Sequence, residues 1–182
     1  SLTTGVIPGG SGTVNASAPN CGGGGYTPGS VVTVSAEANG GYVFTSWSGA
    51  CTGSGVCTVT MTGDKAVTAN YKAVSVLGTP DGMQSGWNHV FSWTGVEGAT
   101  YYLVEVQTSG GSGVLLKWYS AAQAGCSGDQ SCEVSPAATV NLGSGNYKWR
   151  VQDYGAYGTG LQTVYKEFTL PALCYSLTTG VI

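Results

Sequence analysis

The residues of this chain that could carry out acid–base chemistry are one histidine, His89, and nine carboxylates. Nucleophilic catalysis needs a base held between a serine or cysteine and a carboxylate, and the sequence contains no Gly-x-Ser-x-Gly turn. A glycosidase needs two facing carboxylates, and a calcium loop needs closely spaced acidic ligands. The carboxylates occur singly, and we expect most of them to lie in turns. The sequence therefore predicts no enzyme, no catalytic residue, no bound metal and no cofactor.

Six cysteines form the next chemical group. Cys51 and Cys57, and likewise Cys126 and Cys132, are separated by five residues that include glycine. Glycine allows such a loop to fold back until the two cysteines can bond. Zinc-binding cysteines are usually separated by two to four residues. The spacing and the even number of cysteines therefore favour disulfides and an oxidising, extracellular or cell-surface location.

Four aromatic residues are candidates for ligand binding: Trp118, Tyr119, Tyr154 and Tyr157. We expect them near strand ends or loops, where an exposed ring can pack against the apolar face of a sugar. The alternative is that they fill the core or an interface, since small β-domains need large apolar side chains. We favour packing and keep contact with surface glycans as the second interpretation.

Composition excludes several partners. Charged residues make up 8% of the chain and the net charge is −3, so a phosphate-binding surface for nucleic acid is not expected. No apolar run approaches the ~20 residues that a membrane-spanning helix needs. Aromatic residues at 10% and hydrophobic residues at 42% indicate a packed core.

The elements that must position these residues are strands. Apolar and polar residues alternate with period two over 32–36, 58–62 and 67–71, which predicts strands buried on one face. Glycine- and proline-rich segments separate these runs and predict turns. No sustained period of 3.6 residues predicts a helix. The sequence therefore predicts an all-β protein whose residues 1–72 form a small β module of five or six strands.

This first module resembles a known repeat. Gly41-Tyr-Val-Phe-Thr-Ser-Trp-Ser-Gly49, the Cys51/Cys57 loop and Val67-Thr-Ala-Asn-Tyr71 are similar to the divergent internalin-type B repeat, which occurs in bacterial surface and secreted proteins. The resemblance covers residues 1–72. Members of that family often begin with Cys-Tyr-x-Leu-Thr, and the matching residues here are Cys174 to Thr178.

A turn-rich segment over 77–82 follows, and a second set of about seven short strands begins near residue 90. This pattern predicts a two-sheet sandwich in residues 73–173, with Trp93 and Trp149 as its largest core side chains. We also predict a helical turn over 120–124 and a last strand over 164–170. Phe91-Ser-Trp-Thr and Gly145-Asn-Tyr-Lys-Trp-Arg-Val151 resemble the fibronectin type III-like domains of bacterial exported proteins. The resemblance implies an immunoglobulin-like sandwich with a spacer, adhesion or sugar-proximal role and no catalytic residues.

One heptapeptide, Ser-Leu-Thr-Thr-Gly-Val-Ile, occurs twice, and its first serines define a period of 176 − 1 = 175 residues. We expect residues 174–182 to hold the first strand of a further repeat. This strand would be either the continuation of one polypeptide or a strand exchanged between separate subunits by β-augmentation. The two copies are Ser1, Leu2, Thr3, Thr4, Gly5, Val6 and Ile7, and Ser176, Leu177, Thr178, Thr179, Gly180, Val181 and Ile182.

The B-repeat resemblance implies a partner for the remaining cysteines. In the family pattern, the cysteine before the first strand bonds to the one that follows it in the same module. Cys174 would then bond to the Cys21 of the next period, so that a disulfide crosses the period boundary. The alternative is a bridge between Cys21 and Cys174 within a closed monomer, and non-reducing peptide mapping distinguishes the two.

These observations predict a structural repeat unit of an extracellular filament or a giant cell-surface protein, whose partners are neighbouring copies of itself. The alternative is a carbohydrate-binding or adhesin module of a secreted surface protein, with the aromatic residues as its site.

Overall fold

The computed structural model describes residues 1–126, 128–136, 140 and 142–172. The chain folds into two compact units, Ser1–Val74 and a second unit that begins at Ser75, and each has its own hydrophobic core. The fold is all-β, as predicted. Within the described ranges the one helical segment with assigned bounds is a 3-10 turn, Gly22–Gly24, and no helix there is long and apolar enough to cross a membrane. The strands of the first unit are β1 (Leu2–Ile7), β2 (Gly12–Ala16), β3 (Val31–Ala38), β4 (Tyr42–Gly49), β5 (Cys57–Thr60) and β6 (Lys65–Ala73).

The first unit consists of two three-stranded sheets, in the orders β1-β6-β4 and β2-β3-β5. The predicted alternation holds, because Val32 and Val34 of one sheet and Val67 and Ala69 of the other point into one shared core. β1 runs parallel to β6, and the other pairs are antiparallel. Burial of these alternating side chains, at about 25 cal/mol per Å² of apolar surface, holds the two layers together.

Tyr71 joins the two sheets of the first unit. Its hydroxyl lies 3.0 Å from the carbonyl oxygen of Thr13 and 3.0 Å from that of Glu37, which places it between β2 and β3. Gly12 makes room for this ring, because a Cβ atom there would lie 2.5 Å from Tyr71 Cζ and against the Glu37 carbonyl. The close approach explains why a residue without a side chain stands at position 12.

The described part of the second unit contains eight strands, including the two-residue β7. They are β7 (Gly82–Met83), β8 (Phe91–Thr94), β9 (Ala99–Thr108), β10 (Gly113–Ser120), β11 (Ser131–Val134), β12 (Gly145–Gly155), β13 (Gly158–Gln162) and β14 (Lys166–Leu170). One sheet has the order β10-β9-β12-β14-β7, with β13 also paired to β12. The other pairs β8 with β11, and Leu77 forms a bridge to Trp93 on the outer side of β8.

The two sheets of the second unit enclose a core built around Trp93 and Trp149, the side chains predicted to be its largest. The Trp149 indole donates a hydrogen bond to the Pro80 carbonyl at 2.9 Å, so the polar atom of this buried ring is satisfied. This is the predicted two-sheet sandwich. The last described strand starts at Lys166 instead of residue 164, because its pairing with β12 begins with Lys166 opposite Trp149. The predicted helical turn is present as one hydrogen bond from the Ala124 amide to the Ser120 carbonyl.

The expectation that most carboxylates lie in turns is wrong. Five of the nine are in strands: Glu37, Glu105, Glu133, Asp153 and Glu167. Four of them point to a solvated or partly solvated side of a sheet. The outward-facing positions of such a strand normally carry polar residues, so a charged side chain fits there. Asp153 is the exception, because it is 1% exposed and lies among core side chains.

Candidate functional site

Both closely spaced cysteine pairs form disulfides. Cys51 and Cys57 are bonded with their Cα atoms 5.6 Å apart, and Cys126 and Cys132 with theirs 4.6 Å apart. In the first loop, the Trp47 indole donates a hydrogen bond to the Gly55 carbonyl at 3.0 Å, so the loop is attached to the core by a second contact. Each disulfide thus fixes an irregular loop onto the sheet that carries its second cysteine.

The heptapeptide at residues 1–7 forms an edge strand. β1 pairs with β6 from Leu2 opposite Lys65 to Ile7 opposite Asn70. Leu2 and Val6 pack against the core of the first unit, whereas Ile7 is exposed. The other edge of β1 has no strand beside it in the described part of the chain. β1 therefore packs one apolar side against the core of the first unit and uses one main-chain edge to pair with β6.

Cys21 lies in an exposed loop between β2 and β3. It forms no disulfide with any described residue, and a hydrogen bond from its amide to the Gly25 carbonyl closes the loop. Tyr26, which follows this loop, lines a depression of about 170 Å³ together with Ser1 and Asp64. Cys174 and residues 176–182 lie outside the described residues, so the second strand copy and the pairing of Cys174 stay predictions.

The structure separates the four aromatic candidates. The side chains of Trp118 and Tyr154 are exposed, with their ring centroids 6.4 Å apart and their planes nearly perpendicular at 81°. Tyr119 points the other way and belongs to the core. The Tyr157 hydroxyl donates a 2.6 Å hydrogen bond to Asp153. Only Trp118 and Tyr154 therefore come together at a surface.

Strand register shows why those two rings meet and which residues join them. Trp118 lies opposite Leu103, which lies opposite Gln152, while Tyr101 lies between Ser120 and Tyr154 in the next row. The rings of Trp118 and Tyr154 therefore meet across β9. We use the term aromatic face for the group on this side of the sheet: Tyr101, Leu103, Leu116, Trp118, Gln152 and Tyr154. Tyr101 is not among the aromatic residues predicted from the sequence, although the inward alternation of Tyr102, Val104 and Val106 signals that Tyr101 and Leu103 point outward.

A polar cluster borders the aromatic face. The Arg150 guanidinium contacts Glu105 at 2.6 Å, and the Gln107 amide donates to the other Glu105 oxygen at 2.5 Å. Partial burial raises the pKa of Glu105, but the hydrogen bonds from Arg150 and Gln107 outweigh burial and leave the pKa below its usual value. Lys148 and Arg150 lie over the Tyr165 ring at 4.8 and 4.4 Å. Glu105 thus balances the charge of Arg150, and the Lys148 ammonium lies against the Tyr165 ring.

Beneath the aromatic face, a buried acid is held by the β12–β13 hairpin. One Asp153 oxygen accepts the hydrogen bond from Tyr157, and the other has no hydrogen-bond partner among the described residues. Burial, together with the hydrogen bond to Asp153 and its charge, raises the pKa of Tyr157 far above the usual tyrosine value. Gly160 allows this arrangement, because a Cβ atom there would collide with the Asp153 carboxylate.

His89 lies in a separate depression of about 550 Å³ beside Trp87, whose ring centroid is 4.8 Å from the imidazole. Its backbone is left-handed, with φ of 62°, and its buried Nδ1 has no hydrogen-bond partner in the described ranges. None of the residues that line this depression is Asp or Glu. In the described part of the chain, no three His, Cys, Asp or Glu side chains come close enough to hold a metal ion.

Comparison with known proteins gives one family match. Residues 2–75 match the model of the divergent InlB B-repeat domain. A search of curated proteins finds no match. Among solved structures, domains A168-A170 of titin are 14% identical, with a TM-score of 0.27, over 93% of this chain and 62% of the titin chain. This chain therefore spans less than two thirds of that structure, and the sandwich assignment of the second unit rests on its own strand pairing. The first unit is a β-repeat-type domain similar to the divergent InlB B-repeat.

Proposed function

We propose that this chain is a structural repeat unit of an extracellular filament or giant cell-surface protein, joined head to tail to neighbouring copies. One observation carries the proposal: the heptapeptide that forms β1 recurs, residue for residue, 175 positions later (176 − 1) and after the sandwich. The residues that follow the second unit thus encode the first strand of another B-repeat-like unit. Such arrays gain length by repetition, and each unit contacts its neighbours.

The role of β1 in the first unit supports this proposal. Leu2 and Val6 supply apolar contacts to the core, and the backbone of β1 completes the edge of β6. Leu177 and Val181 occupy the equivalent positions of the second copy. The second copy can therefore make the same contacts with the β6 of another unit, either later in one polypeptide or in a separate subunit that receives the strand.

The position of Cys21 supports disulfide continuity across the period. Tyr26, just beyond the Cys21 loop, lines one depression with Ser1. We therefore expect a residue that precedes Ser1 by two positions in the chain to lie near the Cys21 loop. Cys174 stands two residues before the second strand copy. We therefore infer that Cys174 bonds to the Cys21 of the following unit and that this disulfide stabilises the junction by a few kcal/mol.

An extracellular or cell-surface location fits the same chemistry. Two disulfides form in the described residues, and disulfides persist in oxidising environments. The match of residues 2–75 to a repeat named after an internalin agrees with a surface protein.

The proposal is tested by extending residues 1–182 with a second copy of residues 8–75. We expect the appended segment to fold into a second B-repeat-like unit whose first strand is residues 176–182, and to form a disulfide between Cys174 and the appended Cys21. Calorimetry measures the added unfolding enthalpy, and non-reducing peptide mapping identifies the disulfide. The matched control carries Leu177→Asn and Val181→Asn, which remove the apolar contacts of the strand. An appended segment that stays unfolded, or that folds equally well in the control, contradicts the proposal.

A second protein distinguishes one polypeptide from exchanged subunits. Residues 8–182 lack the first copy of the strand, so the edge of β6 is open to a strand from another molecule. Strand exchange predicts concentration-dependent linear polymers in light scattering, and these should disappear when residues 176–182 are also deleted. If the strand copies act only within one polypeptide, the 8–182 protein remains monomeric.

A further inference from the structure

The aromatic face is an unusual surface for this chain, which is otherwise rich in Gly, Ser and Thr. Tyr101, Trp118 and Tyr154 are 48%, 46% and 45% exposed, and the neighbouring Leu116 is 69% exposed. Three adjacent strands contribute these side chains, and the sheet fixes their spacing. A structural spacer gains nothing from leaving three large rings in water, because their burial would be favourable.

The chemistry of the face is apolar and uncharged. Its six residues are three aromatic side chains, two leucines and one amide, Gln152. Glu105 and Arg150 lie in the same row of the sheet as Leu116, and their charges are already joined to each other at 2.6 Å. The face therefore offers ring surfaces for apolar contact and hydroxyl and amide groups for hydrogen bonds, without a free charge.

The size of the face indicates the kind of ligand. Three strands spaced about 4.8 Å apart make it about 10 Å wide, and three rows spaced about 7 Å apart make it about 14 Å long. A stable protein interface uses about 20–30 residues on each partner, whereas the aromatic face consists of six. The face is thus better matched to a small or linear ligand than to a second copy of the chain.

We propose that the aromatic face binds a neutral glycan, through ring contacts from Trp118 and Tyr154 and hydrogen bonds to the side-chain oxygen of Gln152, since the Gln152 nitrogen already donates to the Gly160 carbonyl at 3.0 Å. A sugar ring presents C–H groups on its faces and hydroxyls around its rim, which complements exposed rings beside an amide. The perpendicular arrangement of Trp118 and Tyr154 above Leu103 forms a corner, in which one sugar ring can contact both side chains. This binding activity goes beyond the structural role of the repeat unit and does not depend on it.

The test is affinity electrophoresis of the full 182-residue chain in gels that contain mixed-linkage β-glucan, xylan or galactomannan, with alginate as the anionic comparison. We expect retardation by at least one neutral polysaccharide and none by alginate. Trp118→Ala and Tyr154→Ala should each weaken binding about tenfold, as expected for the loss of an aromatic contact. Both side chains lie at the surface, so these variants should stay folded and lose only the stability of their mutual ring contact.

The matched control is Met83→Ala. Met83 is also exposed, at 68%, and lies on β7 at the opposite edge of the same sheet, so this variant should bind like the original chain. The proposal is overturned if none of the three neutral polysaccharides retards the chain, or if both ring variants bind as well as the original. It is also overturned if alginate is preferred, or if the chain self-associates in solution and Trp118→Ala abolishes that association, which would assign the face to a second copy.

Discussion

Removing the disulfide Cys51–Cys57 should destabilise the first unit and leave the second unit unchanged. The change is the double variant Cys51→Ala/Cys57→Ala. A disulfide stabilises a protein mainly by restricting its unfolded chain, to an extent set by the length of the loop that it closes. With a sequence separation of 6, the chain-entropy relation gives about 2 kcal/mol at 25 °C.

Two structural details modify this value. Cys57 is buried against the core, so replacing its sulfur also loses packing, and a total loss of about 2–4 kcal/mol is expected. The Trp47 hydrogen bond to Gly55 remains and keeps the loop attached, so the unit should stay folded. The variant Cys126→Ala/Cys132→Ala is the matched comparison, because its disulfide has the same sequence separation of 6.

Native-state amide hydrogen exchange measures each unit separately. In the first double variant, the amides of β3 and β6 should exchange at least roughly 30-fold faster, which corresponds to about 2 kcal/mol, whereas those of β12 should be unaffected. The second double variant should show the reverse. Equal acceleration in both units, or a change below about threefold in the unit that lost its disulfide, would refute the reasoning.

Two further predictions concern single side chains. Gly12→Ala should lower the stability of the first unit by about 1–3 kcal/mol, because its Cβ would collide with Tyr71 and the Glu37 carbonyl. The control is Gly9→Ala, since a Cβ at position 9 meets nothing within 4 Å. Equal denaturation midpoints for the two variants would contradict the account. Tyr157→Phe should lower the stability of the second unit by about 1–3 kcal/mol, because it leaves buried Asp153 without its hydrogen bond. Since folding raises the pKa of Tyr157, its contribution is complete below pH ~10 and falls as the pH rises further. Urea titrations between pH 8 and 11 should therefore show a smaller alkaline loss of stability in Tyr157→Phe, and an identical loss in both proteins would exclude this role.

The alternation of side chains predicts much of the fold. Val32 and Val67 point into the core as expected, and Trp93 and Trp149 occupy the centre of the sandwich. These positions follow from local pattern alone, because successive side chains in a strand point to opposite faces. Asp153 continues the inward series of Trp149 and Val151, but its burial depends on a partner, Tyr157, that the following turn supplies.

The aromatic face required information that a local pattern does not contain. Trp118 and Tyr119 are neighbours in a strand, so they point to opposite faces of the sheet, and alternation alone does not say which face is solvated. The contact between Trp118 and Tyr154 depends on the register of β10, β9 and β12. Register between strands distant in sequence is set by the whole core and the turns, so a local pattern shows that Tyr101 and Leu103 point outward but not that they lie beside Trp118 and Tyr154.

The central claim is that residues 176–182 are the first strand of another B-repeat-like unit. Hydrogen–deuterium exchange of residues 176–182, measured in the 182-residue chain and in the same chain extended by a second copy of residues 8–75, tests this claim most directly. The account predicts that the extension brings the amide protection of residues 176–182 to the level of residues 1–7. Amides of residues 176–182 that exchange at the same rate with and without the extension would contradict it.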